Sequence, residues 1–202
     1  KEHLKFEQSK HHEIILKDVN LEISNGNIVV NDKMQSSLRN VYVPGDINGK
    51  NLLAHAAFKM GDIAASEIVE GKSDKFNNNI IPRAIYTYPE IGSVGLTEEE
   101  AKKSYDIKVG KFNYGANGRA LAHGDSSGMV KIISDVRYGE ILGAHIVGPR
   151  ASELINEVSV LMQSEVIVEE AIKMVFGHPT FSEAIYEAIA DVEGVSVHLP
   201  KK

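Results

Sequence analysis

The chain has 202 residues, a formal net charge of −6 at pH 7, 43% hydrophobic and 25% charged residues, and no cysteine. That length suits one large domain or two small ones, and the acidic balance argues against a nucleic-acid or anionic-membrane partner. The missing cysteines exclude a disulfide framework, a thiolate nucleophile and a thiolate metal site, and no apolar run reaches the roughly 18 residues of a membrane span.

Residues 1–13 mix acids and bases and carry His3, His11 and His12. A solvated, mobile end is the expectation there, with a three-histidine metal site as the sharper alternative. The first residue is Lys rather than Met and residues 1–14 hold no signal-peptide core, so the chain is expected to be a piece of something longer. Residues 21–30 read as two short strands around an Asn25-Gly26 turn, and Val41-Tyr42-Val43 as a third strand, closed by Pro44-Gly45. A helix is predicted from Asn51 to about Val69, because Leu53, Ala57, Met60, Ala64 and Ile68 recur every three or four positions. Gly71 stops it, a polar linker covers 73–79, and a domain boundary falls near 78.

Beyond the boundary, strands are expected at 83–88, 91–96, 107–114, 128–134 and 140–147. Thr97-Glu98-Glu99-Glu100 is a capping box opening a short helix, and Gly115, Gly118 and Gly124, with Arg119, suggest a long hairpin connection. Helices follow at 151–164, 168–175 and 182–192, the first and last with one apolar face. Strands followed by helices give an α+β domain, a mostly antiparallel sheet with helices on one side.

Two places could carry chemistry. His178-Pro179-Thr180-Phe181-Ser182-Glu183 places an imidazole and a carboxylate five positions apart, ahead of a helical run. Proline bars the helical region to the residue before it, so His178 sits in extended or turn backbone, and a His–carboxylate pair is a common general acid/base. Thr180 to Glu183 also reads as a capping box in which Glu183 serves backbone N–H groups. Spacing alone favours that second reading. Gly45-Asp46, between a strand and the 51–69 helix, is either a turn with an Asx residue or a carboxylate at a strand end beside a helix N-terminus, where α/β sheets bind ligands. His55 and His145 lie in apolar runs and read as core or interface residues.

These segments share an order with one family. Residues 37–46 (Ser-Leu-Arg-Asn-Val-Tyr-Val-Pro-Gly-Asp), Leu52-Leu53-Ala54-His55-Ala56-Ala57, Ile85-Tyr86-Thr87-Tyr88-Pro89-Glu90, Gly143-Ala144-His145-Ile146-Val147-Gly148 and the 178–183 block together resemble the C-terminal part of the FAD-dependent disulfide oxidoreductases, and within them the dihydrolipoamide-oxidising branch. The resemblance covers roughly 14–200. It implies that 1–78 are the C-terminal remnant of an FAD-binding domain and 79–202 an interface, or dimerisation, domain. It implies flavin contacts from Asp46, Leu53, Ala54 and His55, a catalytic base His178 oriented by Glu183, and a cis bond before Pro179. The implied parent is a cytoplasmic homodimer that uses FAD and NAD and works on dihydrolipoamide carried by a lipoyl domain, with no nucleic-acid or membrane partner. The family's Gly-x-Gly-x-x-Gly, its redox cysteines and its nicotinamide-binding domain are missing from these 202 residues. The piece by itself is therefore expected to be inactive and to bind neither cofactor tightly.

Overall fold

A computed structural model describes residues 20–200 and the backbone of two paired strands ahead of them, β1 (Phe6–Gln8) and β2 (Ile14–Leu16). The three N-terminal histidines, and the solvated end or metal site expected of them, lie outside the described residues. The chain divides into two units, Lys1–Asn78 and Asn79–Lys202.

In the first unit, β3 (Ile23–Ser24) and β4 (Asn27–Ile28) form a hairpin. Both turn residues, Asn25 (φ 50°) and Gly26 (φ 80°), have the positive φ that matches strand twist. The strand expected at 41–43 shrinks to a single bridge between Gln35 and Tyr42. Met34 (φ 63°) and Asn40 (φ 65°) turn the chain sharply on either side, so too little extended backbone remains for a ladder. A 3-10 turn at Asp46–Asn48 precedes α1 (Ala54–Glu70).

Helix α1 begins three residues later than the sequence suggests. Leu53 is extended, and the buried Asn51 donates from Nδ2 to Asn78 Oδ1 at 2.7 Å instead of entering the helix. Its buried face is Ala56, Met60, Ile63 and Ala64, so the stripe predicted through Ile68 does not hold. Ile68 is 62% exposed, because the last turn is tied down by polar contacts from Glu67 to Lys33 and Ser73.

The second unit is built on a five-stranded, wholly antiparallel sheet in the order β5-β6-β9-β8-β7. These strands are β5 (Arg83–Ile85), β6 (Ile91–Gly95), β7 (Ile107–Asn113), β8 (Met129–Asp135) and β9 (Ile141–Val147). Helices α4 (Ala151–Gln163) and α6 (Glu183–Val192) cover one face. Val94, Phe112, Val130, Ile132, Ala144 and Ile146 meet Leu154, Ile155, Val158, Ile185 and Ile189 there. The short α2 (Glu98–Ala101) packs Ala101 on the other face, against Ile133 and Leu142. Leu142 can reach that face because the β8–β9 ladder shifts register between Ile133 and Ser134. The irregularity reverses the alternation, leaving Ile141 with the helix-side core.

Two glycines let the helices sit this close. A Cβ at Gly110 would collide with the carbonyl oxygen of Ala188 in α6, and one at Gly92 with that of Ala151 in α4. The hairpin connection expected around Gly115–Gly124 is helical instead. A 3-10 turn at Tyr114–Ala116 leads into α3 (Gly118–His123), whose start Asn117 caps by accepting from the Ala120 N–H. Helix α5 is the single turn Val168–Ala171, shorter than the 168–175 predicted. No helix among the described residues is long and apolar enough to cross a membrane.

Candidate active site

His178 lies on the loop between α5 and α6, behind a cis bond to Pro179. Its Nδ1 is 2.8 Å from Glu183 Oε1, with the imidazole 77% exposed and the carboxylate 21% exposed. The other oxygen, Oε2, accepts the Thr180 N–H at 2.8 Å. The two sequence readings of this block therefore share one carboxylate. The capping box is half made: Glu183 reaches back to the Thr180 N–H, but the Thr180 hydroxyl donates to the Gly177 carbonyl at 2.6 Å. Burial pushes the Glu183 carboxyl up, yet the Thr180 N–H and the His178 ring outweigh it and hold its pKa below the ordinary value. An ionised Glu183 accepts a hydrogen bond from Nδ1–H, which leaves Nε2 of the neutral, exposed ring as the acceptor. A pair of this geometry is chemically suited to general acid/base work.

The loop is anchored from several directions. Phe181 is buried, with T-shaped contacts to Tyr114 (6.1 Å) and His123 (5.8 Å), and Arg150 lies 5.6 Å over its ring. Ser182 donates to Glu157 Oε1 at 2.7 Å. Asn117 donates from Nδ2 to the Thr180 carbonyl at 3.1 Å. The sequence reading missed Asn117, which sits 63 positions from its partner with no local motif to flag it.

A second His–carboxylate pair also went unnoticed. One turn beyond Glu183, Glu187 is 3% exposed and meets His198 Nδ1 through Oε1 at 2.8 Å. Its Oε2 accepts from the Ser196 hydroxyl, the Val197 N–H (3.0 Å) and the His198 N–H (3.1 Å). Burial pushes this carboxyl up, but the Ser196 and His198 hydrogen bonds bring it below its ordinary value. The signal available in the sequence was Glu187 itself, an acid on the apolar face of a helix. His145, expected in the core or an interface, is half-buried with Nε2 at 3.1 Å from the Leu96 carbonyl. That is a structural role.

The remaining candidates fall in the first unit. Gly45 (φ 88°) lies against α1, where its Cβ position is 3.7 Å from Ala57 Cβ and its N–H is 3.3 Å from Met60 Sδ. Asp46 follows it, exposed, as the first residue of the 3-10 turn. Ala54 and His55 are exposed on the first turn of α1, and Leu53 is the half-buried N-cap. The N-cap Leu53 makes no side-chain cap bond and no acid stands in the first turn, and the positive end of a helix suits an anion or an electron-rich ring. The buried Asn51 Oδ1 beside it has no hydrogen-bond partner. Gly45, next to Asp46 in the chain, thus lies against Ala57 and Met60 of α1, the helix whose start Leu53, Ala54 and His55 form. Among the described residues no group of three or more His, Asp or Glu side chains could hold a metal ion.

Residues 81–189 match the family described as pyridine nucleotide-disulphide oxidoreductase, dimerisation domain. A dihydrolipoyl dehydrogenase of Bacillus subtilis (strain 168) is 40% identical over 184 residues, which cover 91% of this chain and 40% of the relative. One from Thermus scotoductus is 41% identical over 175 residues, 86% of this chain and 38% of the relative. Among solved structures, LpdA from Mycobacterium tuberculosis gives a TM-score of 0.81 at 26% identity, covering 86% of this chain and 38% of that one. The chain therefore spans about 40% of the length of the curated relatives it matches.

Proposed function

Because the chain belongs to the pyridine nucleotide-disulphide oxidoreductases through its dimerisation domain, we propose that it is the C-terminal portion of a dihydrolipoyl dehydrogenase, supplying the acid/base pair and the dimer surface. The observation that carries this reading is the His178 Nδ1–Glu183 Oε1 contact at 2.8 Å on an exposed loop.

The chemistry assigned to these residues is a proton transfer. His178 Nε2 takes the proton from a thiol of dihydrolipoamide. The thiolate then attacks a protein disulfide carried outside these 202 residues, forming a mixed disulfide and releasing the other sulfur as a thiolate. Glu183 keeps Nδ1 protonated and stabilises the imidazolium that results. FAD, when bound, supplies the two-electron path from the dithiol to NAD⁺. The first unit fits one part of that cofactor. Asp46 suits the hydroxyls of a ribityl chain, and the N-terminus of α1 at Leu53, Ala54 and His55 suits the electron-rich edge of the ring, with the unpartnered Asn51 Oδ1 nearby. The glycine turn for the diphosphate is not in the chain.

A homodimer belongs to the same reading, with His178 serving the partner's substrate. Support comes from apolar side chains left in water: Tyr86 and Tyr88 are more than four-fifths exposed, Val160 is 64% exposed and Val175 97%. A dimerisation module would be expected to line its interface with the helices at 151–164 and 182–192, but α6 has little free surface to offer. Eight of its ten residues are buried inside their own unit. A lipoyl-bearing partner and a cytoplasmic site of action belong to the same proposal.

In the full-length parent, His178→Gln is expected to lower dihydrolipoamide-dependent NAD⁺ reduction by ~10²–10⁴-fold. Near wild-type turnover in that variant would sink the mechanism. A parent that reduces glutathione disulfide faster than lipoamide would sink the substrate assignment. The absence of any cysteine favours a second reading, in which these 202 residues act as a dimerisation module without chemistry of their own. It expects a dimer without flavin in sedimentation of the chain, and NAD⁺-dependent turnover by the chain alone would exclude it.

A further inference from the structure

Resting on the acid/base reading of His178 and Glu183, we infer that Asn117 is a positioning residue for that pair, acting through Thr180. Asn117 is 3% exposed and both ends of its amide are used. Oδ1 accepts the Ala120 N–H at 2.9 Å, capping α3, and Nδ2 donates to the Thr180 carbonyl at 3.1 Å. Thr180 is thereby held at three points. Its carbonyl is fixed by Asn117, its hydroxyl by the Gly177 carbonyl, and its N–H by Glu183 Oε2 at 2.8 Å.

The chain of contacts runs Asn117, Thr180, Glu183, His178. If Thr180 rotates, Oε2 loses its donor, the carboxylate is free to swing and Oε1 leaves Nδ1. The neutral ring then has no reason to keep its proton on Nδ1, and Nε2 stops being a reliable acceptor. Water cannot readily replace the clamp, because Asn117 is buried. A second tie joins the same two segments. Tyr114 and His123, on either side of Asn117 in sequence, hold the Phe181 ring edge-on. The sheet-side core thus sets the tautomer of a base on the surface.

The test separates clamping from capping. Asp and Ser are good N-cap residues, so both variants keep an acceptor for the Ala120 N–H, while Asn117→Asp removes the donor to Thr180 and Asn117→Ser shortens the side chain that carries it. The readout is the tautomer of His178 in the 202-residue chain, from imidazole ¹⁵N shifts at alkaline pH, with the signal assigned by its loss in His178→Gln. Wild type should be mainly Nδ1–H. Glu183→Gln marks the broken pair and should be mainly Nε2–H. Both Asn117 variants should move the majority to Nε2–H with helical ellipticity unchanged. In the full-length parent they should lower kcat and leave the KM for dihydrolipoamide unchanged. Two Asn117 variants with the wild-type tautomer overturn this inference and leave the pair standing. A wild-type tautomer in Glu183→Gln overturns the pair, and the role of Asn117 with it.

Discussion

Glu187→Gln tests how the C-terminal segment is held. In the native chain one buried carboxylate gathers the Ser196 hydroxyl, the Val197 and His198 N–H groups and the His198 ring. Two backbone N–H groups converge on Oε2, so a glutamine must put its oxygen there and its NH₂ toward His198 Nδ1. The ring is 59% exposed and can turn that nitrogen into an acceptor. The contacts persist, the one to the His198 ring with its direction reversed, but all four bonds lose their charge assistance, at about 1 kcal/mol each. Removing a buried charge returns part of that, so the net loss is on the order of 1–2 kcal/mol. This corresponds to a Tm lower by ~2–8 °C, and to roughly tenfold faster hydrogen exchange at the Val197 and His198 amides. The assay is a thermal scan of the 202-residue chain together with exchange measured residue by residue. The pH dependence has a definite sign. The folded pKa of Glu187 is depressed, so its contribution is complete above the unfolded carboxylate value, about 4.3, and is lost as pH falls through the folded one. Glu187→Gln should abolish that part of the acid transition. Unchanged tail exchange and an unchanged acid limb would refute the clasp.

Two further outcomes follow from the sheet. Hydrogen bonds from Lys102 and Lys131, with their charges, pull the Glu98 carboxyl down to about 2. Its stabilisation should be present above the ordinary carboxylate range and lost as pH falls toward 2, so Glu98→Gln should flatten acid unfolding followed by circular dichroism; an identical acid limb contradicts this. Gly110→Ala forces a methyl group against the α6 backbone at Ala188. A cost of roughly 1–3 kcal/mol is expected, read from denaturant midpoints, and a midpoint equal to wild type would mean that α6 does not cross β7 so closely.

Much of the second unit was legible because its signals are local. Alternating apolar residues placed five strands within a residue or two of their observed ends, apart from the 83–88 segment, which pairs over Arg83–Ile85 alone. The Thr97–Glu100 capping box forms in both directions, and the Asn25-Gly26 turn has the expected positive φ. The misses share a cause. Asn51 looked like a helix start until Asn78 claimed its amide. Residues 115–124 looked like loop because their glycines outweighed a six-residue helix whose start is fixed by the Asn117 side chain. The 41–43 strand failed where Met34 and Asn40 took positive φ, a conformation that Asn favours but Met does not announce.

The same division runs through the candidate site. By itself the sequence put an imidazole and a carboxylate five positions apart and kept His178 out of the helix that follows, since proline's ring restricts the backbone before it. It could not say which donors the carboxylate would serve. That was decided by tertiary contacts: α6 crossing Gly110 at close range, and Asn117 reaching Thr180 across 63 positions. Helix propensity and periodicity act within a few residues. The direction of a surface imidazole is set by buried hydrogen bonds whose partners meet only after the sheet and its helices have packed.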